Sequence, residues 1–430
     1  MRLIPSAATL DETFRALRHR NFRLFWIGQM ISLIGTWMQS VAQGWLMHRI
    51  TNSPMMLGLL GFVQFLPVMV FALPAGVIAD HMDKRKLLYI TQGFFLLQAG
   101  ALAALVTFGV IKAWMVLALA FAFGVFNSFD LPLRQSFLVE MVGKADLPNA
   151  IALNSAAFNA ARVLGPAIAG VLVASIGEAG CFWLNALSYV AVLVGLAMIE
   201  LEVRAPAVPQ DTLEKLAEGV RYAWGVTAIR NLLVLLALTA GIGFQYMVLL
   251  PVYARDILHG DARMYGLLVS AFGVGSLLAA FWMTRPMSRW DLRHQLLIGL
   301  ASAGFGMAGF AWSRLPALTM AMGFLAGFGL ILYVASTNTL LQLTTEDRFR
   351  GRIMSLYTLM FVGTSPLGAL ISGGLAQRWG APIATSFCAV VLLAGALWVS
   401  ARLRVLRALE AAQAPPPAHD LPAAEPERVG

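Results

Sequence analysis

Twelve apolar runs, each close to the roughly 20 residues needed to cross a hydrocarbon core of about 30 Å, follow one another along this chain. They fall at about 22–48, 56–79, 87–110, 114–134, 149–175, 180–200, 229–253, 264–285, 295–312, 316–340, 352–376 and 381–402. Hydrophobic residues make up 59% and charged residues 12%, where soluble domains carry about a quarter charged. The expected fold class is therefore an all-α membrane protein with twelve transmembrane helices. Residues 1–21 contain no apolar segment of the signal-peptide kind, so the first span itself is expected to direct insertion.

An even number of spans puts both termini on one side, and the basic residues say which. The N-terminal segment, the even-numbered loops and the C-terminal segment hold 24 Lys and Arg, the odd-numbered loops hold six, and Arg162 lies inside a span, accounting for all 31. Both N and C termini are thus expected in the cytoplasm, with the chain multi-pass in a cell inner membrane. The net charge of +9 needs no further explanation, and nucleic acid is not an expected partner. The partner that composition demands is the lipid bilayer.

The longest break between spans divides six from six. It contains Pro206 and Pro209 and then Leu213, Leu216, Val220 and Trp224 at helical spacing, which predicts an amphipathic helix on the cytoplasmic surface. The expected organisation is a cytoplasmic segment at 1–21, a six-helix half at 22–200, a linker at 201–228, a second half at 229–407 and a disordered tail at 408–430 rich in Ala, Pro and Glu. Short likenesses link the halves: Gly165-Pro166 in the fifth span with Ser365-Pro366 in the eleventh, and Phe123-Gly124 in the fourth with Phe328-Gly329 in the tenth.

The loop between the second and third spans reads Gly76-Val-Ile-Ala-Asp80-His81-Met-Asp83-Lys84-Arg85-Lys86. Gly76, Asp80, Arg85 and Lys86 resemble the Gly-x-x-x-Asp-Arg-x-Gly-Arg-Lys loop signature of the major facilitator superfamily, with His81 and Asp83 departing from it. Between the fourth and fifth spans, Asp130-Leu-Pro132-Leu-Arg134-Gln135, Glu140, Asn149, Asn154-Ser155 and Arg162-Val-Leu-Gly165-Pro166 with Gly170 resemble its drug, macrolide and siderophore exporter branch, the transmembrane secretion effector type. Gly165-Pro166 is similar to a fifth-span motif associated with antiporters. The resemblance implies the major facilitator fold, two six-helix halves working by alternating access, no cofactor, a monomer, protons as coupling ion and a small organic substrate.

Interior polar residues mark the candidate site, because an unpaired polar group in hydrocarbon must find a cavity or a partner. Gln29, Ser32, Thr36, Gln39, Ser40 and Gln43 share one face of the first helix and are expected to line a wet cavity. Asn159 and Arg162 in the fifth span, Gln64 in the second, Gln245 and Tyr246 in the seventh, and Tyr333 and Asn338 in the tenth extend it. With Trp37, Trp45, Phe244 and Phe272 nearby, such a pocket suits an amphipathic organic solute. Gly76, Asp80, Arg85, Lys86, Asp130, Arg134, Gly165 and Pro166 are the candidates for gating and coupling. Asp130 and Arg134 lie four apart and can pair. Asp130 is also the carboxylate best placed to carry a proton, a role that the pairing opposes by holding it charged.

Catalysis finds no support. The six His lie in loops or at span ends without metal-ligand spacing, Cys181 and Cys388 sit inside apolar runs, and there is no Gly-x-x-x-x-Gly-Lys-Ser/Thr phosphate loop. A proton-coupled exporter is the expected function. A lipid flippase or solute importer on the same fold is the alternative, with a membrane-embedded enzyme behind both.

Overall fold

The computed structural model describes residues 14–81, 83–200, 212–283 and 289–413, with side chains except those of 72–81, 144, 212–216, 289–291 and 403–413. Among the described residues there is no strand. Apolar segments of this length form helices because a helix is the conformation that satisfies each backbone group within its own segment.

The first half comprises α1 (Arg20–Thr51), α2 (Pro54–His81) and α3 (Lys84–Thr107), followed by a stretch helical from Ala113 to Met198 and broken at two glycines. Gly143 (φ 69°, ψ 179°) and Gly177 (φ 74°, ψ 175°) adopt a conformation open essentially to glycine alone. Each reverses the chain without a loop, giving α4 (113–142), α5 (144–176) and α6 (178–198). The fourth helix thus runs about two turns beyond the expected end near residue 134. Arg134 and Glu140 belong to that helix and not to a loop, because the break falls at Gly143 and the polar residues before it find partners.

The linker helix α7 (Thr212–Gly225) forms as its periodicity predicts. Tyr222 stacks on Phe349 at 4.0 Å, Glu218 pairs with Arg352 at 2.6 Å, and Ala223 is buried with Ile229, Leu233, Ile353 and Leu356. The helix is tied to the second half. That half continues with α8 (Thr227–Ile257), α9 (Ala262–Trp282), α10 (Arg289–Trp312), α11 (Pro316–Thr344), α12 (Asp347–Trp379) and α13 (Ala381–Gln413). α8 carries π-helical turns at Thr239–Gly243 and Tyr253–Ile257, and α12 bends at Thr364 just before Pro366. α13 extends through residues 408–413, so the disorder expected there is corrected to helix; 414–430 lie outside the described residues.

Ten of the described helices are long and apolar enough to cross a membrane. The stretch Ala145–Met198 is counted once although Gly177 divides it, and Arg20–Thr51 is long enough but falls outside the ten through its polar stripe.

The halves repeat in register. Gly380 (φ 88°, ψ 156°) turns α12 into α13 as Gly177 turns α5 into α6. Gly165 packs on the α1 backbone at Ile34 and Met38, and Gly368 packs on the α8 backbone at Gly241. Gly124 meets the Gln64 carbonyl, and Gly327 meets that of Phe272. The equivalents of Gly165 and Gly124 are therefore Gly368 and Gly327, not the residues of Ser365-Pro366 and Phe328-Gly329. Backbone proximity demands glycine at these places, whereas dipeptide likeness can slide along the helix.

Candidate transport site

The halves meet most tightly toward the ends of the helices far from the termini, called here the distal side. A Cβ on Gly58 of α2 would lie 2.6 Å from the Ala369 carbonyl oxygen and 2.9 Å from Gly373 Cα of α12. Its counterpart Gly266 of α9 would meet Gly170 Cα at 2.6 Å and the Pro166 carbonyl oxygen at 2.8 Å on α5. Two crossings related by the repeat thus bring backbones of opposite halves into contact, which small residues alone permit. Polar ties accompany them: Ser53 Oγ donates to Gln377 Oε1 at 2.8 Å, and His48 Nε2 lies 2.9 Å from Asp256 Oδ2.

Deeper between the halves, a small cleft is lined by Arg162, Tyr246, Met247, Val269, Phe272 and Gly273. Arg162 stands about 25 Å along α5 from its start near Ala145, just past the helix middle. Its Nη2 donates across the seam to Ser276 Oγ at 3.4 Å, and Tyr246 stacks on Phe272 with centroids 4.0 Å apart. Among the described residues no carboxylate pairs with Arg162. A guanidinium in a low-dielectric seam with only hydroxyl partners is poised to take an anionic or strongly polar group. Aromatic rings surround the level: Trp37 meets Phe158 edge-on at 5.9 Å, Phe244 meets Phe361 at 5.4 Å, and Trp45 stacks on Tyr265 at 6.2 Å.

Of the other expected cavity residues, most turn inward to their own half. Gln29, Ser32, Gln39 and Gln43 are buried. The Arg134 guanidinium donates to the Gln29 carboxamide oxygen, Thr36 shares a hydrogen bond with Tyr189 at 3.0 Å, Gln39 donates to Gln98 at 3.0 Å, and Asn185 donates to Gln39 at 2.7 Å. Gln29, Thr36 and Gln39 of the α1 stripe thus form an interior seam where a cavity lining was expected, because α3, α4 and α6 present the complementary amides, hydroxyl and cation, whereas Ser40 is exposed. Tyr333 is likewise buried in the second half, its hydroxyl 2.9 Å from Thr239 Oγ1. Gln245 is buried and donates to the Ala240 carbonyl at 3.1 Å. Gln64, Asn159 and Asn338 are half-buried; Asn159 donates to the Ser155 carbonyl at 2.9 Å and Asn338 accepts from Gln342 at 2.6 Å. Of the expected cavity residues, Arg162 and Tyr246 share the cleft.

Asp130 is 2% exposed and has both oxygens occupied. Oδ1 accepts from Thr91 Oγ1 at 2.9 Å and Gln92 Nε2 at 2.7 Å, while Oδ2 faces Arg134 one turn on. The expected local pair exists and is the centre of a network that includes Gln29. Arg85 donates to the Leu196 carbonyl at 2.9 and 3.2 Å and to that of Ala197 at 3.2 Å, closing the C-terminus of α6. Lys84 pairs with Glu140 at 2.6 Å, and the Lys86 side chain is exposed. Lys84 and Arg85 thus tie the start of α3 to the ends of α4 and α6. The side chains of Gly76 and Asp80 lie outside the described residues, whereas Gly165 and Pro166 form the backbone contacts with α1 and α9 given above. The His48–Asp256 pair was missed by sequence reasoning, since no spacing relates residues so far apart.

The sequence pattern of the transmembrane secretion effector family matches residues 11–427. The staphyloferrin A transporter of Staphylococcus aureus is 24% identical over 83% of this chain and 90% of its own. A multidrug efflux pump, Tap, of Mycolicibacterium fortuitum is 26% identical over 79% and 85%, and the enterobactin exporter EntS of Citrobacter koseri 25% identical over 83% and 85%. Among solved structures, an inward-facing, occupied bacterial homologue of the human lysosomal transporter Spinster superposes with a TM-score of 0.70 at 14% identity, covering 90% of this chain and 97% of that one. The chain belongs to the transmembrane secretion effector family of the major facilitator superfamily, and it is a membrane transporter, not an enzyme.

Proposed function

We propose that this chain is a proton-coupled exporter of an amphipathic organic compound of the drug or siderophore kind, working by alternating access as a monomer in the inner membrane. The observation that carries this reading is the carboxylate-free Arg162 between the halves, set with Tyr246 in an aromatic cleft. A multidrug efflux pump and an enterobactin exporter among relatives of similar length support the substrate class. The reading takes twelve spans, which the ten apolar helices, the division at Gly177 and the inclusion of α1 support, with both termini cytoplasmic, which the distribution of Lys and Arg supports. The close crossings at the distal ends then correspond to an inward-facing state.

The test is transport in inverted vesicles holding the protein. Challenge with a panel of cationic, macrolide and siderophore compounds should release a preformed pH gradient, and Arg162→Ala should weaken substrate binding itself. Asp130→Asn should abolish proton-linked efflux while leaving binding measurable. A chain that moves every compound without proton flux is not proton-coupled, and uphill export by Asp130→Asn with a normal pH dependence assigns Asp130 to structure alone. A reporter after Arg407 should be active only in the cytoplasm and one at His259 only outside; the reverse pattern ends the topology.

A further inference from the structure

His48 and Asp256 are the one His–carboxylate pair among the described residues that joins the two halves. His48 lies in the last turn of α1, one residue before Arg49, and is 1% exposed. Asp256 lies in the π-helical end of α8, and its side chain is 48% exposed. With the carboxylate ionised, the proton of the pair sits on Nε2, which donates to Oδ2 at 2.9 Å. The other ring nitrogen, Nδ1, is buried with no hydrogen-bond partner among the described residues.

That asymmetry has a thermodynamic consequence. A neutral imidazole with its hydrogen on Nε2 leaves only a lone pair at the buried Nδ1. A second proton would place an unpaired donor there, which costs the desolvation of that group. When the halves part on the distal side, water reaches both nitrogens and the cost vanishes. Proton uptake therefore favours the parted arrangement, and the proton comes from the distal aqueous phase that Asp256 already faces. The other charges around the ring are Arg255, next to Asp256 on the same turn, and the Arg49–Glu178 pair at 2.7 Å between α1 and α6. Arg255 also opposes a positive ring, the Arg49–Glu178 pair is neutral in sum, and the attraction of the Asp256 carboxylate for a positive ring is screened by water at its half-exposed side chain, so the buried, partnerless Nδ1 decides the balance.

We infer that His48 and Asp256 form the distal latch of the transport cycle and that protonation of His48 from the distal side releases it. The inference rests on the alternating-access reading. It adds to it a site where protons enter, separate from the Asp130 network on the terminal side of the first half.

The test follows the distance between spin labels on two exposed distal loops, at Lys112→Cys of the first half and Arg314→Cys of the second, in purified full-length protein in lipid nanodiscs. The parent cysteines Cys181 and Cys388 are buried. In the parent background, lowering pH from about 7.5 to about 5.5 should raise the ratio of long to short distances roughly tenfold, the change expected when an imidazole of ordinary pKa titrates only in the open state. His48→Gln keeps a donor toward Asp256 and should lose that response. Asp256→Ala removes the acceptor and should lengthen the distance at both pH values. An unchanged acid response in His48→Gln overturns the inference, as does an unchanged distance distribution in Asp256→Ala. No substrate is present, so failure of the latch shows in the labels, whereas failure of the export reading shows only in the vesicle assay.

Discussion

The two halves share a backbone plan but fill it with different chemistry. At the centre of the first half lie Asp130, Arg134, Gln29, Thr91 and Gln92, and one layer further Gln39, Gln98, Asn185 and Ser188. The second half places rings and hydroxyls at the corresponding depth: Tyr333 with Thr239, Phe272 between Tyr246 and Phe310, and Phe310 against Tyr253. A buried charge network is stable only while every member is satisfied, whereas an aromatic core loses contacts in small increments. The difference implies that single polar deletions at the centre of the first half cost more than in the second.

The strongest test of that contrast is Asp130→Ala against Tyr333→Phe. Removing the carboxylate strands Arg134, Thr91 and Gln92, and is expected to cost about 3–5 kcal/mol, as for other broken buried ion pairs. Removing the Tyr333 hydroxyl deletes one neutral hydrogen bond and should cost about 1 kcal/mol. Thermal unfolding followed by fluorescence-detected size exclusion measures both, and equal losses would erase the distinction between the halves.

The crossings should behave alike in both halves, since they are related by the repeat. Gly58→Val and Gly266→Val each drive a side chain into an opposing backbone, with an expected overpacking penalty of about 1–3 kcal/mol and a distal seam that no longer seals. Thiol reagents added from the distal side should then label a cysteine at Trp45 faster in both variants. Labelling that rises in only one of them would show that one crossing is the pivot and the other a passive contact.

Arg162 belongs to the first half but reads the second. Arg162→Gln should weaken binding of anionic compounds by about tenfold or more, the scale of one lost charge-assisted hydrogen bond, while neutral compounds change little. Equal effects on both classes, measured by equilibrium binding in detergent, would reduce Arg162 to a packing role.

The smallest effect is expected outside the membrane, at the start of α5. The hydrogen bond from His19, with Arg15 beside it, holds the Asp146 carboxyl below the usual carboxylate range. The clamp of the N-terminal segment on α5 is therefore fully present above that ordinary range and is lost as pH falls through the lowered value. A fluorophore at Leu17 should stay immobile down to mildly acidic pH and loosen only below it. Loosening near neutrality would point instead to His19 losing its partner in another way.

Much of the fold was legible in the residues, and less of the site. The turn between α5 and α6 was expected within a few residues of Gly177, and the linker helix from Leu213, Leu216, Val220 and Trp224 at its observed place. The Asp130–Arg134 pair was legible because it spans one helical turn. The stripe from Gln29 to Gln43 was legible as a face, but not its neighbour, and it turned toward α3, α4 and α6 where a cavity was expected. His48 and Asp256 gave no sign of each other.

The sequence by itself therefore determined what each segment does with its own backbone: which stretches are helices, where glycine lets the chain reverse, and which residues share a helical face. These are local matters, settled by hydrogen bonds within a segment and by side chains one turn apart. The tertiary structure alone decided which face meets which helix, that Arg162 looks across the seam while Arg134 looks inward, and that a histidine of α1 finds a carboxylate of α8. Those outcomes depend on how twelve or so helical surfaces pack at once, and pairwise complementarity between residues hundreds of positions apart leaves no periodic trace in the chain.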